Sequence, residues 1–226
     1  MSEHVAVVVG AGGALGSATA VVLAGAGFSV TAVDRTEKAL EQLPDGIRRE
    51  VGDATDPAVA RSVIDRIATE SGPPEVLVNT LGAFRPGDAL TATPDDLRVM
   101  LDVNLGAALW LSQAVAPYMR RRGGGAIVHV SARPASEPTA GMAAYSLGKA
   151  ALNHLVRILD LELRPDGIRV NAVAPQLLDT AANRTVFPAD ALAHAVRPEA
   201  IADIIAFLVS DAAAPVSGAI VPAYGA

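Results

Sequence analysis

Short runs of β-branched and apolar residues recur along this chain and alternate with longer segments of helical spacing. The runs cover residues 5–9, 29–33, 75–79, 126–131, 168–173 and 219–222, with a weaker one at 46–51. The helical segments cover 15–26, 57–70, 95–121, 144–163 and 198–208. A strand that is apolar on both faces has to be covered on both faces. Alternating such strands with helices therefore leads to a parallel sheet with helices packed on each side. No repeat, low-complexity linker or composition shift divides the 226 residues. One α/β domain is expected, a doubly wound parallel sheet of about seven strands with helices on both faces. Ligands of such sheets bind beyond the carboxyl ends of the strands, where strand order reverses. The residues that follow each strand are therefore the candidates for function.

Composition narrows the function classes. With 51% hydrophobic residues the chain can bury a sizeable core, and the absence of cysteine removes disulfides, thiolate nucleophiles and cysteine-ligated zinc. That usage fits a reducing cytoplasm. A net charge of −6 without a Lys/Arg cluster argues against nucleic acid as a partner. The run Arg120-Arg121-Arg122 before Gly123 reads as a solvated helix end, where cations suit the dipole. No charge interrupts residues 5–33, but Gly10, Gly12, Gly13, Gly16, Gly25 and Gly27 break the stretch into strand, turn, helix and turn. No membrane-spanning helix is expected there, and the opening Met-Ser-Glu-His lacks the basic region of a signal peptide. The four histidines are scattered without metal-ligand spacing, so no metal site is expected.

After the first run comes Gly10-Ala11-Gly12-Gly13-Ala14-Leu15-Gly16, opening straight into a helix. Such a turn either lets the backbone approach a pyrophosphate at the helix N-terminus or is simply tight. The second run ends in Asp34, whose carboxylate can accept from both ribose hydroxyls and repel a 2′-phosphate, or can cap the next helix, a role Thr36 fills about as well. Arg35 next to it could hold a 2′-phosphate, so NAD(H) is preferred and NADP(H) stays open. Asp53-Ala54 either meets an adenine edge or forms an Asx turn. The fourth run leads into Asn79-Thr80-Leu81-Gly82. Asn104 inside an apolar helix marks a local kink with a bound water, or an exposed face.

Tyr145 and Lys149 are spaced i, i+4 and share a helix face. An ammonium about 4 Å from a phenol is worth roughly 4 kcal/mol at intermediate dielectric, nearly three pKa units. Tyr145 could then trade a proton with a reacting atom near neutral pH. The bland alternative is an amphipathic helix with a half-buried tyrosine.

Together these motifs resemble the short-chain dehydrogenase/reductase family over essentially the whole chain, through Arg169-Val170-Asn171-Ala172-Val173-Ala174-Pro175, Thr180 and Ser217-Gly218. The resemblance implies a Rossmann-like domain and a nicotinamide cofactor. Residues 10–16 (Gly10, Gly12, Gly13, Ala14, Leu15, Gly16) and Asp34, Arg35, Asp53, Ala54, Asn79, Thr80, Leu81, Tyr145, Lys149, Pro175, Leu178 and Thr180 would contact it. Tyr145 would be the general acid/base, Lys149 would lower its pKa, and Asn104 would anchor a relay water. A small-molecule substrate is implied, with Phe84, Met142, Phe187 and Ser131 near it, and a homodimer or homotetramer through the helices at 95–121 and 144–163.

Several positions depart from the family pattern. Ala14 replaces a glycine, Thr80-Leu81 sit where Asn-Ala is usual, and Gln176 replaces the glycine after Pro175. The family's catalytic serine, thirteen residues before the tyrosine, is Ala132. Ser131 substitutes only if the strand has ended or bulged there, and Ser136 is a second candidate. Losing a donor to a developing oxyanion costs about 10²–10³ in rate, less for an imine or conjugated substrate. Dihydropteridine reductases share the alanine and also resemble residues 178–184. A catalytically idle dinucleotide sensor or assembly subunit is the rival reading.

Overall fold

Each residue of β1 (Val5–Val9) is at most 1% exposed, the environment a continuous β-branched run requires. The structure, a computed structural model, describes residues 4–225. Val5, Val7 and Val9 face one side of the sheet, and Ala6 and Val8 the other. From β1 the chain passes through α1 (Ala14–Gly25) to β2 (Ser29–Asp34), α2 (Glu37–Leu40), β3 (Arg48–Val51), α3 (Pro57–Glu70) and β4 (Val76–Asn79). Next come α4 (Pro94–Leu101), a π-helical turn (Asp102–Gly106), α5 (Ala107–Arg122), β5 (Gly125–Val130) and α6 (Ala143–Leu163). The last elements are β6 (Ile168–Pro175), α7 (Ala181–Val186), α8 (Ala189–Leu192), α9 (Pro198–Val209) and β7 (Ile220–Ala223).

The seven strands are all parallel, in the order β3-β2-β1-β4-β5-β6-β7. Order reverses between β1 and β4, where Val9 pairs with Asn79. One core lies under α3, α5 and α6 and contains Leu77, Ile127 and Val170. The other lies under α1 and α9 and contains Val78, Val128 and Ile205. This is the doubly wound Rossmann-like domain that the hydrophobic rhythm predicts.

Local chemistry explains most boundaries. Asp56 caps α3 by accepting from the Ala58 and Val59 amides ahead of Pro57. Thr93 and Asp96 form a capping box that opens α4. Gly123, at φ +86°, closes α5 in the left-handed region. The basic run before it is more engaged than expected: Arg120 pairs with Asp166, Arg122 with Glu75, and Arg121 stacks on Tyr118.

The segment expected to be one helix over 95–121 is instead two α-helices joined by the π turn. Read as a whole, residues 94–122 are long and apolar enough to cross a membrane, but half of the most apolar window is buried inside the protein. Ala108, Leu111 and Val115 of this segment belong to the core. The short helices α2, α7 and α8 were not legible in the apolar spacing, because each has too few turns to show a period.

Candidate active site

The turn after β1 can be built only with glycine at three positions. Gly10 sits at φ +81°, and its amide and that of Ala11 both bond the Val33 carbonyl. A Cβ at Gly16 would collide with the Gly10 carbonyl oxygen, and one at Gly12 would lie 2.5 Å from Ala39 Cβ and 2.9 Å from Asp34 Oδ2. Gly13 is open by comparison, and Ala14 is exposed at the start of α1, so its methyl group is tolerated. Leu15 is buried beneath the turn. Among the described residues no side chain caps α1, and its first turn carries no carboxylate. Its leading amides and the positive end of its dipole are thus presented beyond the strand tips, the donor set that suits a phosphate. A dinucleotide fits these residues.

Asp34 is braced against this turn. Its Oδ2 accepts from the Gly12 amide at 3.0 Å and its Oδ1 from the Arg35 amide at 2.7 Å. Thr36, not Asp34, caps α2. The Asx-turn reading of Asp53 is realised, its Oδ1 accepting from the Thr55 hydroxyl and amide at 2.6 and 3.0 Å. Burial pushes the Asp53 carboxyl up, but those bonds and the nearby Arg35 charge hold it below its ordinary value. Ala54 beside it is buried.

Thr80, at the tip of β4, gives its hydroxyl to the Val9 carbonyl at 2.8 Å and so ties β4 to the glycine turn. Asn79 accepts from the Leu81 amide at 3.1 Å. Behind it lies His129, a buried residue of β5. His129 Nδ1 is 3.5 Å from Asn79 Nδ2, and Nε2 is 3.2 Å from Ser112 Oγ, which donates to the Ala108 carbonyl. With its only proton committed to Ala108, the serine must accept, so Nε2 carries the imidazole hydrogen. Burial, helped by the Lys149 charge, pushes the His129 pKa down to about 3.

Asn104 lies in the π turn, 1% exposed. Its Nδ2 donates to the Ala83 carbonyl at 3.0 Å and its Oδ1 accepts from the Ala83 amide at 3.3 Å. The expected kink is present, and its side chain fastens the loop after β4. A Cβ at Gly82 would meet both Asn104 Oδ1 and Lys149 Nζ at 3.3 Å, so the loop passes directly over these two groups.

Lys149 is 3% exposed, and Nζ donates to the Val130 carbonyl at 2.7 Å. Burial brings its pKa down to about 8. The Tyr145 ring is met edge-on by Phe84, centroids 5.2 Å apart. Here the structure corrects an expectation. The phenol pKa is pushed up to about 12 by burial and is not drawn toward neutrality by the ammonium. The lysine charge is anchored on a carbonyl of β5, and exclusion of water disfavours phenolate. Because β5 and β6 are parallel, α6 must run back from the tip of one to the base of the other. Tyr145 therefore lies closer to the strand tips than Lys149, just as Ala132 lies past Val130.

Met142 precedes α6 and bridges Gly87, which brings it beside the same loop as Phe84. Pro175 closes β6, Leu178 bridges Val196, and Thr180 caps α7 by accepting from the Asn183 amide at 3.1 Å. Phe187 follows α7, and no ring contact links it to Tyr145. Ser131 is 2% exposed, and its single hydroxyl proton goes to Asn153 Oδ1 at 2.5 Å. Ser136 accepts from Asn153 Nδ2 at 3.3 Å. Both serines are thus gathered at Asn153, two turns along α6 from Tyr145.

A profile of the short chain dehydrogenase family matches residues 4–191. The chain belongs to the short-chain dehydrogenase family. It is 35% identical to the 2,3-dihydro-2,3-dihydroxybenzoate dehydrogenase of Escherichia coli strain K12, over 93% of this chain and 91% of that one. It is 34% identical to the cis-4-hydroxycyclohexanecarboxylate dehydrogenase of Sinomonas cyclohexanicum, over 99% and 96%. A solved 7α-hydroxysteroid dehydrogenase complexed with NADH and 7-oxo glycochenodeoxycholic acid superposes with a TM-score of 0.91 at 30% identity, covering 98% of this chain and 93% of that one.

In this short-chain dehydrogenase the serine position is a buried alanine, Ala132, 4% exposed. Next to it stands Arg133, which the motif reading passed over. Its guanidinium pairs with Glu137, donates from Nη1 to Gln176 Oε1 at 2.7 Å, and lies 4.8 Å above the Tyr224 ring. Gln176 had been singled out as a departure from the family. Its contact with the residue beside the other departure was not visible without the parallel register of β5 and β6.

Proposed function

We propose that this dehydrogenase transfers a hydride between NAD(H) and a small alicyclic secondary alcohol or its ketone, with Tyr145 exchanging the proton. The observation that carries the reading is the glycine turn fitted for a dinucleotide, and it is supported by the loop after β4, which meets Asn104 Oδ1 and Lys149 Nζ at Gly82 and the Tyr145 ring at Phe84. Gly10, Gly12, Gly13, Ala14, Leu15 and Gly16 would hold the pyrophosphate on the N-terminus of α1. Asp34 would accept from the adenosine ribose and disfavour a 2′-phosphate, which supports NAD(H) over NADP(H) despite Arg35. Asp53 and Ala54 would border the adenine. Asn79, Thr80, Leu81, Pro175, Leu178 and Thr180 would line the rest. The bound nicotinamide supplies or accepts the hydride.

The chain's own residues handle the proton. A phenol whose pKa is raised to about 12 stays protonated at neutral pH, so Tyr145 is ready to give a proton to a carbonyl oxygen. That supports reduction as the easier direction near pH 7. Lys149, four residues along α6 and buried, would bring its charge to bear on the phenolate left behind once substrate is bound. Asn104 would anchor a relay water. Phe84 and Met142, with Phe187, would give an apolar wall. Such a wall suits the ring alcohols named in the relatives' descriptions. A homodimer or homotetramer through α5 and α6 completes the reading.

One observation favours a second reading, an idle dinucleotide-binding subunit: Ala132 has no hydroxyl. A panel of cis-4-hydroxycyclohexanecarboxylate with NAD⁺, and cyclohexanone, a quinone and a cyclic imine with NADH, separates the two. Turnover of any member is expected. Tyr145→Phe should lower that turnover at least 10³-fold while NADH affinity by fluorescence stays within about twofold. Survival of activity in that variant sinks the role given to Tyr145, and NADH binding without turnover of any compound supports the idle subunit.

A further inference from the structure

The two departures from the family pattern nearest the chemistry, Ala132 and Gln176, are neighbours in space. Strands β5 and β6 pair in parallel, Val130 with Val173, and the Ser131 amide still bonds the Val173 carbonyl at 2.8 Å. Past Ala132 the chain leaves the ladder in a 3₁₀ turn that Arg133 opens, and from there Arg133 Nη1 reaches Gln176 Oε1 at 2.7 Å, joining the ends of the two strands.

The pair has a fixed polarity. A guanidinium only donates, so Gln176 must turn its carbonyl oxygen toward Arg133, and its amide nitrogen must face the other way. The guanidinium is itself held on three sides by Glu137, Gln176 and the Tyr224 ring. Among the described residues nothing accepts from Gln176 Nε2. A two-hydrogen donor is therefore oriented and left exposed just past the end of β6, on a residue joined through Arg133 to the chain segment that carries Ala132. The serines nearby differ in what they can still give. Ser131 has given its one proton to Asn153, and Ser136, which accepts from the same side chain and keeps its own proton, stands four residues beyond Ala132 and is the rival donor.

Resting on the function proposed above, we infer that Gln176, oriented by Arg133, supplies through Nε2 the hydrogen bond to the reacting substrate oxygen that Ala132 cannot. In the reducing direction the carbonyl carbon gains the hydride and the oxygen takes the Tyr145 proton. Gln176 gives up nothing and only steadies the charge that grows on that oxygen. Arg133 is a positioning residue, acting through the glutamine.

The test uses the full chain with the fastest compound of the panel. Gln176→Leu and Gln176→Glu both remove the donor, and the second keeps an acceptor for Arg133. Each should lower kcat by about 10²–10³, the usual loss for one oxyanion donor, with NADH affinity by fluorescence changed less than threefold. Adding Ala132→Ser to Gln176→Leu should restore kcat at least tenfold, a rescue that a merely structural glutamine would not show. Arg133→Met should lower kcat less than Gln176→Leu does. The inference is overturned if Gln176→Leu turns over at the wild-type rate, if its loss lies in NADH affinity, or if Ser136→Ala alone produces the large drop. Should Tyr145→Phe retain activity, or no panel compound react, the underlying function fails as well. A Tyr145-dependent rate indifferent to Gln176 overturns this inference alone.

Discussion

At the scale of single residues, crowding and water exclusion separate positions that look alike in the sequence. Gly13 and Gly16 belong to one motif and both face the Gly10 carbonyl, yet a Cβ at Gly16 would overlap its oxygen while one at Gly13 would stand 3.4 Å away. Gly16→Ala should abolish NADH binding measured by fluorescence and lower the melting temperature by several degrees, since backbone cannot step aside. Gly13→Ala, with ordinary contact distance around its Cβ, should leave both nearly unchanged. Lys149 offers a second contrast. Its pKa of about 8 lies below that of an unfolded lysine, so between pH 8 and about 10.4 the unfolded chain binds more protons and stability rises with pH. Lys149→Met should lack that rise. The difference in urea midpoint between wild type and variant, followed from pH 7.5 to 10, measures it, and a flat difference contradicts the assignment. The i, i+4 spacing of Tyr145 and Lys149 was legible in the sequence. The balance of burial against charge attraction was not, because the bond to Val130 depends on where β5 packs.

Among the elements, legibility followed length and burial. The six apolar runs and five long helices were visible because each buries a periodic face. β3 was weak because it is an edge strand, with Arg48, Arg49 and Val51 exposed. The break in the helix over 95–121 was foreshadowed by Asn104 alone, since a side chain that bonds backbone groups elsewhere competes with helical regularity. What it bonds, the amide and carbonyl of Ala83, could not be read from spacing. Asn104→Ala leaves both groups without a side-chain partner and should cost about 1–3 kcal/mol in urea unfolding. It should also depress kcat more than it changes NADH affinity. Asn104→Asp can restore only the bond from the Ala83 amide, so its stability should fall between those of alanine and wild type. Equal stability of all three would show that the clamp does not hold the loop.

For the whole molecule, the remaining question is what covers the outer face of α6. Its inner face is committed to the core through Leu152, Val156, Leu159 and Leu163. Leu147, Ile158 and Leu161 stand outside at 58%, 39% and 71% exposure, along a stripe that includes Ala151 and His154. The steps along that stripe are four, three, four and three residues, the repeat by which two helices keep one seam in contact. Such a seam repeated on a second copy closes across a two-fold axis, since the same patch meets itself. Placing charge there opposes like charge directly across the axis. Ile158→Glu with Leu161→Glu, more than three turns from Tyr145, should therefore shift light-scattering mass toward one chain while leaving circular dichroism unchanged. A wild type that runs as a monomer at micromolar concentration would remove α6 as the seam, and a double variant that keeps its mass would move the contact elsewhere on the surface.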